Sequence, residues 1–357
     1  MGFLVLIMIL IIVISILAGK SSKVYVNNRT NIYLGIIFLV ILLLYLFKDN
    51  SLFPDLPEYF ALLKNSEYVK WNEISKLSSY SYGDKFEIGW CILTKFIASI
   101  SVSNSLLVLV VSSIILYAYL KTFKEYSICI WFAILLFLLV RFYNSCFVLR
   151  QNLAVALCIL SIPYIEKKKL FPFLLMILLA CSIHQTAIIF IILYPLYRIP
   201  FNWKYIVGFC VAIYVITFLF HILTPYLGMF MHGYDSYLDM NNTTNSSNAT
   251  SLYISISVLL FVYLIYKNSS RTINEFDQLT LHALLIIVGI SFMKIGLSGT
   301  IGRLSDYFGI FSLLGITNAC AKLKETKIVR PITIMVIIVF YAYLAKQKLT
   351  YGFTLTI

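Results

Sequence analysis

The chain has 357 residues, 61% of them hydrophobic and only 12% charged, with a mean hydropathy of +0.91. A soluble domain carries about 25% charged residues, so this composition excludes a soluble globular enzyme and predicts an all-α, polytopic integral membrane protein. The net charge of +13 is spread between apolar runs, as in cytoplasmic loops, which argues against a nucleic-acid surface.

In chain order, apolar runs predict about twelve transmembrane helices, near 2–18, 31–47, 104–120, 126–143, 147–165, 170–183, 185–197, 204–221, 251–266, 279–297, 303–320 and 331–345. The first run lacks a basic leader and a cleavage site, so it reads as retained. Several runs fall short of the roughly 20 residues a helix needs to cross, which predicts tilt or re-entrance. Basic groups punctuate the runs: Lys20, Lys23 and Arg29; Lys121 and Lys124; Lys167, Lys168 and Lys169; Arg198 and Lys204; Lys267 and Arg271; Lys322, Lys324, Lys327 and Arg330. All six fit on the cytoplasmic side, with both termini outside, on one condition. The segment 86–100, FEIGWCILTKFIASI, must not cross; it lies in the outer interface as an amphipathic helix, or re-enters from it. Letting it cross adds a thirteenth span and breaks that parity.

This predicts a single multispan membrane domain over 1–357, with outer loops at 48–103 and 222–250. The second loop ends in NNTTNSSNAT, a polar tract that predicts mobility. Seven cysteines lie scattered in apolar runs without CxxC spacing, so they read as packing residues and not as metal ligands. No internal repeat stands out.

The chemistry concentrates in 144–188, NSCFVLRQNLAVALCILSIPYIEKKKLFPFLLMILLACSIHQTAI. An Arg150-Gln151 pair heads one apolar run, three lysines close it, and a second run climbs to His184. From Arg150 down to Ile165 is roughly 22 Å of helix, and from Leu170 back up to His184 roughly 21 Å, at about 1.5 Å per residue. Arg150 and His184 therefore end at one depth, opposite the lysines. A charged Arg costs about 2.5–3.5 kcal/mol at a bilayer centre, so Arg150 belongs near an interface or in a functional cavity.

With the basic groups inside, the titratable residues on the outer side include Asp55, Glu58, Glu87, Arg141, Arg150, His184, Asp235, Asp239, Lys294, Arg303 and Asp306. Guanidinium suits planar, bidentate recognition of phosphate, so an outer arginine cluster points to a phosphorylated lipid head group. Plainer roles compete. Arg141 suits a snorkelling anchor, Glu87 and Asp55 suit solvated loop charges, and His221 and His282 suit hydrogen-bonded packing. No Gly-rich phosphate loop, HExxH, GxSxG or DxD stands in a usable context, which disfavours familiar hydrolases and nucleotide-sugar enzymes. The reading calls for no cofactor and no metal.

FVLRQNLAVAL followed by SIHQTAI resembles the EpsG-type polysaccharide polymerases, Wzy-like bacterial membrane proteins. FEIGWCILTKFI is similar to the family's acidic amphipathic segment, with Ile88 where a Pro is common. GRLSDYFGIF is similar to its late Arg with aromatics, and PDLPEY to its early acidic loop element. The resemblance implies a membrane glycosyltransferase of the bacterial cytoplasmic (inner) membrane. It would join undecaprenyl-diphosphate-linked oligosaccharide units, as donor and acceptor, into O-antigen, capsule or exopolysaccharide at the outer face. The bilayer and a chain-length regulator protein are its expected partners; nucleic acid is not.

In that role Arg150 and Arg303 would hold the diphosphate, and Gln151 and Tyr307 would orient it. His184 would be the base for an inverting transfer, with Glu87 or Asp55 as the second choice. If His184 is instead cationic beside the phosphates, a carboxylate is the base. The rival readings are a lipid-linked oligosaccharide flippase or transporter, and another membrane transferase such as an O-antigen ligase or acyltransferase. A transporter built of two related halves would spread charge through its midplane.

Overall fold

The computed structural model describes residues 28–48, 55–79, 86–227, 245–269, 273–296, 299–323 and 329–349. Every regular element among them is helical. The chain divides into two packed units: 1–160 with 179–185 and 325–357, and 161–178 with 186–324.

The first unit holds α1 (Asn28–Leu46), α2 (Leu56–Tyr68), a 3-10 segment (Trp71–Ser79), α3 (Ile88–Ile100), α4 (Asn104–Tyr126), α5 (Ile130–Val140), the short α6 (Phe142–Ser145), most of α7 (Leu149–Glu166) and α14 (Val329–Leu349). Ser103 caps α4 by accepting the Leu106 N–H at 3.4 Å, and α4 packs against α1. In α5, all eight residues from Phe132 to Leu139 are buried, so this helix is apolar all round and forms the centre of the unit. Tyr45 closes the end of α1, its hydroxyl bonded to Ser145 and its ring edge-on to Phe142 at 5.0 Å.

Helices α2 and α3 pack side by side in parallel register, Tyr59 against Trp90 and the end of α2 against Lys95, with opposite outward faces. On α2 the outward positions include Glu58, Ala61, Lys64, Glu67 and Tyr68, while Leu56, Tyr59, Leu62, Leu63 and Ser66 turn inward. On α3 the outward stripe is apolar and recurs every fourth residue: Ile88, Ile92, Phe96 and Ile100, from 44% to 67% exposed. Lys95 points the other way, buried, and donates to the carbonyls of Ser66 at 2.8 Å and Glu67 at 3.4 Å at the end of α2. A lysine there satisfies orphan carbonyls at the negative end of a helix dipole.

The second unit carries α8 (Leu170–Ile183) as far as residue 178, a 3-10 segment (Gln185–Ile192), α9 (Leu193–Leu196), α10 (Trp203–Leu227), α11 (Asn245–Asn268), α12 (Glu275–Gly296), a 3-10 segment (Gly299–Phe308) and α13 (Gly309–Lys322). Val262, Tyr266, Leu281, Leu284 and Ala319 form a buried core shared by α11, α12 and α13. Gly315 lets α13 approach closely, since a Cβ there would sit 3.2 Å from Thr280 and 3.3 Å from Val262. Lys322 pairs with Asp277 across that core and lies 4.0 Å over the Tyr266 ring. The Lys167–Lys169 turn ends α7 in a Schellman arrangement. Lys168 takes a left-handed φ of 54°, its N–H meets Ile165 O at 3.0 Å, and the Lys169 N–H meets Tyr164 O at 2.9 Å.

Among the described residues, three helices are long and apolar enough to cross a membrane: Asn104–Tyr126, Ala249–Asn268 and Glu275–Ile295. The other apolar helices described, among them Thr30–Leu46, Ile88–Ile100 and Val329–Ala345, hold 10–17 residues. Three of the expected dozen spans thus have full length, and the expected span at 2–18 lies outside the described residues, as does 228–244 of the outer loop. Three expected spans are built differently from a single α-helix, among them 126–143, which breaks at Arg141 between α5 and α6. The run at 303–320 is 3-10 up to Phe308 and α-helical only from Gly309, and the run at 185–197 is 3-10 as far as Ile192. Apolar composition reports burial, and it does not separate a 3.6-residue turn from a 3.0-residue one.

Candidate functional site

Glu87 is the residue on which the site of the first unit converges. It stands immediately before α3 in extended backbone, φ −67° and ψ 148°, and its side chain makes no cap bond to its own helix. The carboxylate instead reaches two other parts of the chain. Oε2 accepts from Nη1 of Arg150 at 2.9 Å. Oε1 accepts the backbone N–H of Gln185 at 3.0 Å and lies 3.1 Å from Nδ1 of His184. The three side chains are enclosed without being sealed: 7% exposed for Glu87, 15% each for Arg150 and His184.

Local chemistry explains each approach. Arg150 is the second residue of α7, a helix start where the backbone dipole disfavours a cation by about 0.3–1 kcal/mol. Asn152 fixes that start, its Nδ2 donating to Val148 O at 2.8 Å and Asn144 O at 3.2 Å. The Glu87 carboxylate offsets the adverse dipole, and the Phe86 ring lies 5.0 Å from the guanidinium carbon. His184 is where α8 stops. Its N–H still reaches Ala180 O at 2.9 Å, but the next N–H, that of Gln185, is turned to Glu87.

Gly89 makes the third approach possible. A Cβ at this position would lie 2.3 Å from Ser182 Oγ, 2.6 Å from its carbonyl oxygen and 2.8 Å from its carbonyl carbon. Only a residue without a side chain lets the first turn of α3 sit this close to the end of α8. That contact carries Glu87 to His184 and Gln185.

A carboxylate only accepts, so the contact with Oε1 assigns the proton of a neutral imidazole to Nδ1. The lone pair is then on Nε2. Burial pushes the Glu87 carboxyl up, but the His184 hydrogen bond, the Arg150 charge and the Gln185 N–H outweigh it and hold the group below its usual range. Glu87 is therefore a firmly ionised orienting group. The arrangement can present an oriented base at Nε2 and a guanidinium with donors beyond the one given to Glu87.

The remaining expected residues are placed as follows. Gln151 is buried, 4% exposed, next to Arg150. Asp55 stands at the N-terminal edge of α2, its carbonyl 3.5 Å from the Tyr59 N–H, and is not among the partners of Glu87. Arg303 and Tyr307 belong to the second unit, on the Gly299–Phe308 segment. Arg303 is exposed there, while Tyr307 is fully buried with its hydroxyl 2.9 Å from Thr186 Oγ1. The stem of Lys294 runs over Gly302, whose added Cβ would meet it at 3.0 Å. Sequence reasoning missed Gly89, Phe86 and the Gln185 N–H. The only local signal was a glycine two positions after an acidic residue in the first turn of an amphipathic helix.

No curated protein and no solved structure matches this sequence. The sequence pattern of the EpsG family does match, over residues 31–355, nearly the whole chain. On that match the chain belongs to the EpsG family.

Proposed function

We propose that the protein is a polysaccharide polymerase. It joins undecaprenyl-diphosphate-linked oligosaccharide units at the outer face of the bacterial cytoplasmic membrane. Membership of the EpsG family is consistent with a polysaccharide polymerase. The observation that carries the mechanism is the Glu87 carboxylate shared between Arg150 and His184.

In the proposed reaction the acceptor hydroxyl oxygen attacks the anomeric carbon of the donor chain as Nε2 of His184 takes its proton. The bond from that carbon to the diphosphate oxygen breaks, its electron pair leaves with undecaprenyl diphosphate, and the configuration inverts. Arg150 meets the charge that builds on the leaving group, helped by the positive end of α7. Glu87 holds Nδ1–H and then faces the imidazolium, so it is a positioning residue, and the proton goes to His184. With Arg150, His184 and the Gln185 N–H all on its oxygens, Glu87 is a poor base. Asp55 is outside this scheme. Gln151 beside Arg150 is the further proposed diphosphate ligand of this unit, and Arg303 and Tyr307 of the second unit are proposed for the same chemistry, an anion fork and a phenol. A chain-length regulator is the proposed protein partner.

The test uses the purified full chain in lipid with undecaprenyl-diphosphate-linked repeat units. A ladder of lengthened products supports the polymerase. Translocation of the lipid-linked unit without a ladder assigns a transporter instead.

A further inference from the structure

We infer that an open cleft on the polar side of the α2–α3 pair is a saccharide subsite, which binds the oligosaccharide of a lipid-linked unit away from the reacting carbon. This inference rests on the polymerase reading of the Glu87 site.

The cleft has a volume of about 480 Å³ and is lined by Phe60, Ala61, Lys64, Glu67, Val102 and Asn104. Binding pockets for small ligands run from about 300 to 1,000 Å³. The lining alternates groups that suit a sugar: an ammonium, a carboxylate and an amide for hydroxyls, and Phe60 with Val102 for the apolar face of a ring. A phosphate would not tolerate Glu67, and an acyl chain would not tolerate three polar groups at one opening.

Two placements tie the cleft to the reaction. The outward face of α2 is mostly polar and that of α3 mostly apolar, so the pair separates a watery side from a lipid side. The cleft opens on the α2 side, where a glycan is soluble and a polyprenyl tail is not. Glu87 begins α3, at the junction. From Glu87 to Lys95 is about 12 Å along the helix, at about 1.5 Å per residue. Lys95 in turn binds the carbonyl of Glu67, which lines the cleft. The Glu87 site and the cleft thus lie toward opposite ends of α3, and the proposed oligosaccharide runs between them, one end at His184 and its far rings in the cleft. Substrate choice is then exercised remote from the scissile bond, where binding energy is gained without altering the reacting groups.

The probe is the free repeat-unit oligosaccharide, released from the host's lipid-linked unit by mild acid, titrated onto the purified full chain. The double variant Lys64→Ala/Asn104→Ala should bind it about tenfold more weakly or worse, given that each lost hydrogen bond to a sugar hydroxyl is modest alone and larger for a charged partner. Both positions are exposed, so thermal unfolding should match the parent. Arg150→Ala should bind the free sugar as the parent does, because that probe carries no diphosphate. Equal affinity of parent and double variant overturns the subsite, even if the parent makes ladders. Weakened binding by the double variant, with a parent that makes no ladder, leaves the subsite standing and removes the polymerase reading alone.

Discussion

Nδ1 of His184 lies 3.1 Å from the Glu87 carboxylate, ninety-seven positions away in the chain. The contact fixes which ring nitrogen keeps its proton and leaves the other to do chemistry. His184→Ala should therefore lower the rate of ladder formation about 10²–10⁴-fold, the usual contribution of a positioned base. Glu87→Gln should be damaging alone yet add little to His184→Ala, because groups that act as one unit are non-additive. A double variant far worse than His184→Ala, in initial rates at saturating substrate, would detach Glu87 from the histidine.

Arg150→Lys separates charge from shape. A lysine keeps the cation but loses the planar fork, so it should be nearly as impaired as Arg150→Ala. Cells lacking the native copy should then carry surface lipid bearing a single repeat unit, since synthesis and export of that unit are untouched. A normal ladder from the lysine variant at matched protein levels removes the phosphate role and leaves a snorkelling anchor.

Gly89→Ala should distort the site without unfolding the protein. The added Cβ meets a backbone carbonyl 2.6 Å away, so something in the contact between α3 and α8 must shift. Overpacking of this kind costs about 1–3 kcal/mol, and the displacement of Glu87 should lower activity by more than the loss of folded protein explains. Removing the neighbouring side chain in Gly89→Ala/Ser182→Gly should not restore activity, because the Ser182 carbonyl remains. Full rescue by that pair, judged by ladder formation per folded molecule, would show that only the hydroxyl was in the way.

The pH dependence follows from the depressed Glu87 carboxyl. Its folded value lies below its unfolded one, about 4.3 for an ordinary Glu, so its pairing stabilises the fold fully above that value. The stability is lost as pH falls through the lower, folded value. The difference in unfolding temperature between parent and Glu87→Gln should be constant from neutral pH to about 5 and shrink only below about 4. A difference that vanishes between pH 7 and 6 would mean that another group, the imidazole first, carries it.

Lys168→Gly should be tolerated or stabilising. A non-glycine residue at left-handed φ costs roughly 1–2 kcal/mol, and glycine removes that cost at this turn. A large loss of stability on thermal unfolding would mean that the lysine side chain does more than occupy the turn.

The sequence was most readable where chemistry and helix length act together. The rise of two apolar runs placed Arg150 and His184 at one depth, and in the structure both side chains meet at one carboxylate. It was least readable where one helix chooses its neighbour. Glu87 had two roles open to it, loop charge or second-choice base, because nothing near it in the chain names Arg150 or His184 as its partners. Gly89 looked like an ordinary glycine, since its function is the carbonyl of Ser182 on a distant segment. Lys95 looked like one face of an interfacial helix, yet it points inward to the end of α2 and leaves the outward stripe wholly apolar. The run beginning at Arg303 read as a transmembrane helix because hydropathy is blind to the 3-10 geometry that precedes Gly309.

The spacing of the three partners also orders the birth of the protein. Glu87 leaves the ribosome sixty-three residues before Arg150 and ninety-seven before His184. Until those arrive, its carboxylate lacks the two side chains that offset its burial, so the paired α2 and α3 cannot complete this site. Arg150 at the head of α7 meets the mirror problem and is relieved only when that pair docks. The first unit therefore cannot close around its site until residue 184 has been inserted. A chain halted before that point would hold Glu87 and Arg150 without the histidine that completes the site.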